Sequence, residues 1–319
     1  MKIAFFGTGE FSKNILKNIL ESKNSLEVKL IVSQADKPIG RKKEIIPTPV
    51  KTLALEKNIE ILQPEKLKNN EDFFEKLKSL DLDFIVVVAY GKIIPKDILD
   101  IPKFSCINIH GSLLPLYRGA SPIQESIKNG DKKTGLTIMY MSEGMDEGDM
   151  LAKKEVNIDI LDKTPDIFRK FEEFGAELLI KTLEKIISGE LKGEKQDDSK
   201  ATYCGKIDKK DGELDFKNQT AKEIYDRFRA YYPWPGIYSF YNGKKILIED
   251  CFFEENIAEN ISLGKVFELK DEQNPKNLKI CIKCNSGALI LKKVKLEGKK
   301  SLDIKDFFNG NKDFLEYNF

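Results

Sequence analysis

Two polar side chains lie two residues apart in one short apolar segment. Asn108 and His110 belong to Ser105–His110, which has the length and apolar content of a buried strand. Side chains at alternate positions of a strand leave the same face, so the amide and the imidazole are expected side by side. This pair suits acyl transfer, in which one group stabilises an oxyanion and the other handles a proton. A structural hydrogen bond made by a lone strand histidine is the alternative for His110.

An acidic loop follows at residues 142–149. It holds Asp146 between Gly144 and Gly148, and glycine permits backbone angles that other residues avoid. A carboxylate near His110 would hold the ring and favour its charged form. From spacing alone, a solvated acidic loop or a metal-binding loop stays possible, although the ligand spacing of an EF-hand is absent.

The composition limits the chemistry. The chain has 319 residues and one histidine, which excludes mechanisms and metal sites that need two histidines in one chain. Its 53 Lys+Arg residues balance 52 Asp+Glu residues, so any contact with nucleic acid must be local. Five cysteines without a secretory signal are typical of reduced thiols, and no segment approaches a membrane span. We therefore expect a cytoplasmic protein without a membrane partner.

Short apolar runs alternate with helical patterns in the first half of the chain. The predicted strands are Lys2–Gly7, Val28–Ser33, Phe84–Ala89 and Ser105–His110. One predicted helix begins after Gly9. The other predicted helices cover Val50–Lys57, Phe73–Leu80 and Pro165–Ile187. This alternation predicts an α/β, Rossmann-like domain with a parallel sheet covered on both faces. His110 would lie near the carboxyl edge of that sheet, where open α/β sheets bind ligands.

The pattern changes after the long helix. Residues 189–205 are rich in Gly, Lys, Glu and Asp, which indicates an exposed linker. Short alternating runs separated by turn signals then predict a small β-barrel of OB-like type, preceded by a helix around Ala221–Tyr231. The predicted organisation is a first domain at 1–188, a linker at 189–205 and a C-terminal domain at 206–319.

Two further motifs carry weaker signals. Residues 7–12 (GTGEFS) contain two glycines of the dinucleotide fingerprint, but Ser12 stands at the third position. A tight strand-to-helix turn is therefore favoured over nicotinamide binding. Cys281 and Cys284 have the spacing of a metal or redox pair, but they lie in a predicted strand and lack a second such pair. Packing thiols are the favoured interpretation.

The catalytic residues also carry a family resemblance. Asn108-Ile109-His110, residues 112–119 (SLLPLYRG) and Asp146 together resemble the signature of folate-dependent formyltransferases, whose acceptors include methionyl-tRNA, glycinamide ribonucleotide and sugar nucleotides. Residues 201–207 (ATYCGKI), 232–236 (YPWPG), 297–300 (EGKK) and 306–310 (DFFNG) resemble the members that act on methionyl-tRNA. The resemblance thus covers nearly the whole chain and makes residues 1–188 the expected formyltransferase domain.

The resemblance implies 10-formyltetrahydrofolate as formyl donor, with neither a metal nor a nicotinamide. It implies initiator methionyl-tRNA as acceptor, for translation initiation, and no obligate protein partner. Asn108 would bind the oxyanion, and protonated His110 would be a second donor. Asp146 would orient and charge His110 and relay the amine's proton through water.

The resemblance also implies the binding residues. Those expected at the folate site are Ser112, Leu113, Leu114 and Pro115, with Tyr90 and Gly91 on a neighbouring loop. The loop at residues 35–43 resembles the insertion that grips the acceptor end of the tRNA. Basic residues expected to meet tRNA phosphates are Arg41, Lys42, Lys43 and Lys206, with further candidates at Lys209, Lys210, Lys292, Lys293 and Lys295.

Three other functions stay open from the residues. An enzyme that formylates an amino sugar nucleotide, or a formyl-folate hydrolase, would use the same catalytic strand. A non-catalytic RNA-binding protein would use the barrel and the basic loop. The whole-chain resemblance disfavours the first, and the co-occurrence of Asn108, His110 and Asp146 disfavours the last.

Overall fold

The computed structural model describes residues 1–23, 25–39, 44–257, 260–270 and 278–319. Its contacts divide the chain into two units. The first unit comprises Met1–Ile123, Lys133–Asn157 and Asp166–Gly205, and the second comprises Gln124–Lys132, Ile158–Pro165 and Lys206–Phe319. Within the described ranges, no helix combines the length and the apolar content needed to cross a membrane.

Strands and helices alternate through residues 1–205, as the sequence predicts. The strands are β1 (Lys2–Gly7), β2 (Glu27–Val32), β3 (Lys37–Ile39), β4 (Glu44–Ile46), β5 (Ile61–Leu62), β6 (Phe84–Val88), β7 (Ser105–His110), β8 (Arg118–Gly119), β9 (Lys133–Tyr140), β10 (Met150–Asn157) and β11 (Tyr203–Cys204). The helices are α1 (Glu10–Glu21), α2 (Pro49–Glu56), α3 (Glu71–Ser79), α4 (Lys96–Leu99), α5 (Pro122–Lys128) and α6 (Thr164–Ile187).

One seven-stranded sheet forms the centre of the first unit. Its strand order is β10-β9-β7-β6-β1-β2-β5. The pairs from β7 through β5 are parallel, whereas β9 and β10 add antiparallel strands at one edge. Every residue of β6 is buried, as expected for a parallel strand covered on both faces. The predicted α/β domain is confirmed, with two antiparallel edge strands that the sequence analysis did not predict.

The turn between β1 and α1 is filled by a serine. The Ser12 hydroxyl donates a hydrogen bond of 2.6 Å to the carbonyl oxygen of Val88, and Ser12 is completely buried. A Cβ atom on Gly7 would lie 2.7 Å from the Cβ atom of Ser12. The glycine at position 7 is thus explained by close packing within the turn, next to the end of β6.

The second unit is built around an antiparallel sheet. Its elements are α7 (Ala221–Ala230), β12 (Ile237–Tyr241), β13 (Lys244–Glu254), β14 (Val266–Lys270), β15 (Leu278–Lys283), β16 (Ala288–Leu296), β17 (Leu302–Asp303) and α8 (Ile304–Gly310). The strand order is β12-β13-β16-β15-β14, and β17 pairs with β16. Asn242 and Gly243, with φ of 48° and 73°, form the hairpin turn between β12 and β13 that the sequence indicates. The predicted C-terminal β domain is confirmed, and its sheet is antiparallel.

The five cysteines are buried free thiols. Cys281 packs with Ala288 and Ile290 in one apolar cluster. Burial raises the pKa of both the Cys281 and the Cys284 thiols to about 12, so neither is a ready thiolate. This environment agrees with packing thiols.

Candidate active site

Strand β7 carries Asn108 and His110 to the carboxyl edge of the parallel strands. Its register pairs Asn108 with Val87 and Met139, and pairs His110 with Thr137. His110 is buried, with 5% of its side chain exposed, whereas Asn108 is half-buried. The amide of Asn108 therefore remains accessible beside an imidazole that is mostly shielded from water.

Asp146 brings the two side chains together. Its Oδ2 atom lies 3.6 Å from Nδ1 of His110, and its Oδ1 atom accepts a hydrogen bond of 3.4 Å from Nδ2 of Asn108. Asp146 has a φ of 54°, in the left-handed region that aspartate tolerates better than most residues. The three residues that the sequence singles out are thus neighbours in space.

The other ring nitrogen of His110 has a backbone partner. Nε2 lies 2.9 Å from the carbonyl oxygen of Tyr117. A carbonyl oxygen only accepts hydrogen bonds, so this contact requires a hydrogen on Nε2. Nδ1 then faces the carboxylate of Asp146 at a distance that is longer than a hydrogen bond. Nδ1 is therefore not engaged in a short hydrogen bond with Asp146.

Gly119 supplies a short contact to the Asp146 carboxylate. Its N–H donates a hydrogen bond of 2.8 Å to Oδ2 of Asp146. Gly119 has a φ of 123°, and a Cβ atom there would lie 2.1 Å from the carbonyl oxygen of Cys204. Strand β8 pairs with β11 at this point. Only glycine allows the backbone of β8 to approach β11 this closely. The close approach fixes the position of the Gly119 N–H that donates to Asp146.

Residues of the predicted linker contact this site. The Thr202 hydroxyl accepts a hydrogen bond of 2.8 Å from the Tyr117 N–H, and the Thr202 carbonyl oxygen accepts one of 2.8 Å from the Arg118 N–H. The Gln196 side chain contacts the backbone of the Asp146 loop. Neither contact could be predicted, because Gln196 stands in a polar run typical of a solvated segment and residues 201–207 carry only the family resemblance. The domain boundaries predicted at 188 and 206 stay a proposal.

Arg118 is the buried cation of this region, with 1% of the residue exposed. Its guanidinium donates hydrogen bonds to Gln196 Oε1 at 3.0 Å, to Asp198 Oδ1 at 2.6 Å and to the Tyr203 hydroxyl at 3.3 Å. Burial acts to lower the pKa of Arg118, but hydrogen bonds to Asp198 and Tyr203 outweigh it and raise the pKa. Arg118 therefore stays charged.

The segment predicted to line the folate site is held by β9 and β10. The Thr137 hydroxyl donates to the Ser112 carbonyl oxygen at 2.7 Å and accepts from the Leu114 N–H at 3.1 Å. Lys153 Nζ donates to the Leu114 carbonyl oxygen at 2.7 Å. Ser112 and Leu114 are buried, and Leu113 and Pro115 are half-buried. The backbone from 112 to 115 is thus fixed immediately after His110.

Tyr90 and Gly91 lie just beyond the end of β6. The Tyr90 carbonyl oxygen accepts hydrogen bonds from Thr8 Oγ1 at 3.1 Å and from Gln34 Nε2 at 2.7 Å. Gly91 is exposed and has a φ of 77°. Burial raises the pKa of Tyr90 to about 12. Among the described residues, the buried hydroxyls of Tyr90 and of Ser142 in the acidic loop have no hydrogen-bond partner.

The residues predicted to contact tRNA fall into two groups. Arg41, Lys42 and Lys43 lie outside the described residues. Lys206 is exposed, and it belongs to the second unit. The other lysine candidates, all exposed in the second unit, are Lys209, Lys210, Lys292, Lys293 and Lys295. In the described ranges, no group of three His, Cys, Asp or Glu side chains is arranged to hold a metal ion.

Comparison with known proteins identifies the family of the chain. A family model described as "Formyl transferase" matches residues 1–183, and one described as "Formyl transferase, C-terminal domain" matches residues 206–312. The solved N-formyltransferase from Helicobacter canadensis, in complex with folinic acid and dTDP-3-aminofucose, has a TM-score of 0.63 at 18% identity and covers 91% of this chain and 98% of its own. Fold and family models together define a formyl transferase.

Two relatives narrow the family. The methionyl-tRNA formyltransferase of Caldicellulosiruptor saccharolyticus is 44% identical over 313 residues, which is 98% of this chain and 97% of the relative. That of Caldanaerobacter subterraneus subsp. tengcongensis is 41% identical over 311 residues, again 98% and 97%. The chain belongs to the methionyl-tRNA formyltransferase family, and the family resemblance found in the sequence is confirmed.

Proposed function

We propose that this protein transfers the formyl group of 10-formyltetrahydrofolate to the α-amino group of initiator methionyl-tRNA, in the cytoplasm, for translation initiation. The observation that carries the proposal is the contact among Asn108, His110 and Asp146 in a chain that matches methionyl-tRNA formyltransferases over nearly its full length. In this reaction the amine nitrogen bonds to the formyl carbon, the bond from that carbon to N10 breaks, and one amine proton ends on N10.

The residues near β6 and the acidic loop fit a folate. The Tyr90 and Ser142 hydroxyls are buried polar groups that lack partners among the described residues, and the polar ring atoms of a pterin would satisfy them. Met141, the residue before Ser142, packs against the apolar cluster that contains Tyr90. When bound, the formylated folate would supply the activated one-carbon group. Ser112–Pro115, fixed by Thr137 and Lys153, would form a further wall.

Asn108 is the proposed donor to the formyl oxygen. Its bond to Asp146 is long, at 3.4 Å, so its N–H groups are available to a shorter acceptor. As negative charge develops on the formyl oxygen, a fixed amide donor in a shielded site lowers the barrier. This role needs no rearrangement of β7.

His110 and Asp146 are proposed to handle charge and the proton. The Nε2 hydrogen of His110 is held by the Tyr117 carbonyl oxygen, so Nδ1 is the nitrogen that would face a reacting group. When the ring is charged, the hydrogen on Nδ1, which lies 3.6 Å from Oδ2 of Asp146, would be available to an oxygen that lies beside both groups. Asp146 would orient the charged ring and accept the amine's proton, directly or through water.

The basic residues are proposed to bind tRNA through phosphates. The candidates are Arg41, Lys42 and Lys43 in the loop and Lys206 in the second unit. With a formal net charge of +1, the whole molecule supplies little attraction for a polyanion. Local contacts must therefore dominate, and tRNA affinity should fall steeply as salt rises. A tRNA affinity independent of salt would contradict this mode of binding.

One experiment tests the proposed activity. The protein is incubated with 10-formyltetrahydrofolate labelled in the formyl group and with one of three acceptors: charged initiator tRNA, an amino sugar nucleotide, or water alone. Label on methionyl-tRNA, with little on the other two, is the expected result. Label on the sugar, or free formate without acceptor, would replace the proposal with sugar formylation or hydrolysis. Binding of tRNA without any loss of formyl from the folate would indicate a non-catalytic RNA-binding protein.

A further inference from the structure

The loop that carries Asp146 lies between strands β9 and β10, at residues 141–149, and has no regular secondary structure. Asp146 itself has left-handed backbone angles, which are less favourable for a residue with a side chain. A loop of this kind needs contacts from elsewhere to hold one carboxylate within a few tenths of an ångström. Its position therefore depends on what its backbone bonds to.

One side chain bonds to this backbone twice. Nε2 of Gln196 donates hydrogen bonds to the carbonyl oxygen of Asp146 and to that of Gly148, each at 2.8 Å. These bonds use both hydrogens of the side-chain amide. Gln196 thereby holds the two sides of the peptide turn that follows Asp146.

The amide of Gln196 is in turn oriented by Arg118. Nε of Arg118 donates a hydrogen bond of 3.0 Å to Oε1 of Gln196, which places the NH₂ group toward the loop. Arg118 is buried and anchored by Asp198 and Tyr203. The next residue, Gly119, donates its N–H to the Asp146 carboxylate. Strand β8 therefore holds Asp146 by two routes, the carboxylate directly and the backbone through Gln196.

We propose that Gln196 is a positioning residue for Asp146, and that the path from Arg118 through Gln196 sets the carboxylate against His110. The inference rests on the proposed formyl transfer. It requires an amide at position 196, because only an amide both accepts from Arg118 and donates to two carbonyl oxygens. A glutamate would keep the contact with Arg118 but would turn an oxygen toward the carbonyl oxygens of Asp146 and Gly148.

The test compares full-length variants. Gln196→Met keeps the length without hydrogen bonds, and Gln196→Glu keeps the acceptor without the donors. Asp198→Asn is the matched control, because it removes the charge of another Arg118 partner, a side chain that is 82% exposed, and keeps the Oδ1 atom that accepts from Arg118. Formyl transfer to initiator methionyl-tRNA is measured for each, and Gln196→Met is also measured in an Asp146→Asn background.

We expect Gln196→Met and Gln196→Glu to lower kcat by about tenfold to a hundredfold, with KM for both substrates within about threefold of wild type. Asp198→Asn should stay within about twofold. In the Asp146→Asn background, Gln196→Met should cost less than about twofold, because a residue that acts through Asp146 has nothing further to lose. An equal loss in both backgrounds, or full kcat in Gln196→Glu, would overturn the proposal.

The single histidine gives a readout without turnover. Because His110 is the only histidine, its ring protons give one assignable set of NMR signals. Gln196→Met should shift or broaden these signals in the resting protein, whereas Asp198→Asn should leave them unchanged. Unchanged His110 signals in Gln196→Met would refute positioning. Failure of the wild type to formylate methionyl-tRNA would instead refute the proposed function, and the His110 signals would still decide whether Gln196 positions Asp146.

Discussion

Among the residues that the structure describes, each unit contains one buried arginine bound to an aspartate, and the two arginines have different surroundings. Arg118 in the first unit bonds to Asp198, and their side chains are 2% and 82% exposed. Arg229 in the second unit bonds to Asp226 at 2.5 Å, and both side chains are 3% exposed. In the Arg118–Asp198 pair the aspartate is therefore exposed to water, whereas in the Arg229–Asp226 pair both side chains are buried.

The further contacts of the two arginines separate their roles. Arg229 donates to the carbonyl oxygens of Asp159 and Asp162, at 3.3 and 2.9 Å, and so ties α7 to the segment before α6 within the second unit. Arg118 contacts Gln196, which bonds to the loop of a catalytic candidate. Burial of charge is common to both and does not indicate function by itself. The two arginines differ in what their hydrogen-bond partners contact, and this difference separates a role near the candidate site from a structural role.

The largest effect is expected at the residues to which the Arg118 contacts lead. Asn108→Ala, His110→Ala and Asp146→Ala should each lower the single-turnover rate of formyl transfer by about 10²–10³-fold, the usual cost of losing one preorganised donor. Stability should change little at the half-buried Asn108. Near-normal transfer in all three variants would refute the catalytic assignment. Arg118 would then have no functional difference from Arg229.

The next effect is expected in the second unit. Arg229→Met would leave Asp226 buried with only Lys222, whose Nζ lies 2.5 Å from Oδ2, as its cation. Breaking a buried pair costs about 3–5 kcal/mol, and the remaining lysine places this variant at the lower end of that range. Denaturant unfolding measures the loss, with Lys222→Met as the comparison. The catalytic rate of Arg229→Met per folded molecule should match that of wild type. A lower rate at the same folded fraction would show that Arg229, like Arg118, affects the reaction.

A smaller stability effect is expected at Arg118. Arg118→Met returns a largely exposed Asp198 to water and leaves the Gln196 oxygen without this donor, which costs about 1–2 kcal/mol. The rate should fall by about tenfold, because Gln196 loses its orientation. Unfolding and transfer assays on one preparation compare the two quantities. A loss of stability equal to that of Arg229→Met, with an unchanged rate, would contradict the distinction between the pairs.

The smallest effect is expected at the start of α7, the helix that carries Arg229. Thr220 accepts a hydrogen bond of 3.1 Å from the Glu223 N–H, and Glu223 bonds back to the Thr220 N–H at 2.8 Å. Thr220→Ala should cost about 1 kcal/mol of stability through loss of this capping box. Thr220→Ser, which keeps the cap, is the control. Equal losses in both variants would show that the methyl group, rather than the cap, is what matters.

Much of the first unit could be predicted from local patterns. The apolar run of β7 and the alternation of side chains along it place Asn108 and His110 together, and the structure adds Asp146 as expected from the family resemblance. Strand β10 was not predicted because its sequence, MLAKKEVN, has the charged face of an edge strand. The periodicity of apolar residues indicates which face of one element is buried. It does not indicate that β10 pairs with β9.

Gln196 could not be predicted for a different reason. It stands in the polar run KQDDS, whose composition indicates a solvated segment, and the surrounding residues 197–200 are indeed exposed. Its contacts are with residues 48 and 50 positions earlier in the chain. Only the folded sheet brings these positions together, so sequence patterns do not reveal the residues that support the site, whereas they do point to the residues proposed to react.

The pairing of β8 with β11 has a consequence for the point during synthesis at which the site can form. Residues 118 and 203 lie 85 positions apart, and Gln196 also comes late in the chain. A nascent chain that has reached residue 188 contains every strand of the seven-stranded sheet, together with Asn108, His110 and Asp146. It lacks both β11 and Gln196. We therefore expect such a chain to form the sheet and yet remain almost inactive, so that the active site matures only when residue 204 has left the ribosome.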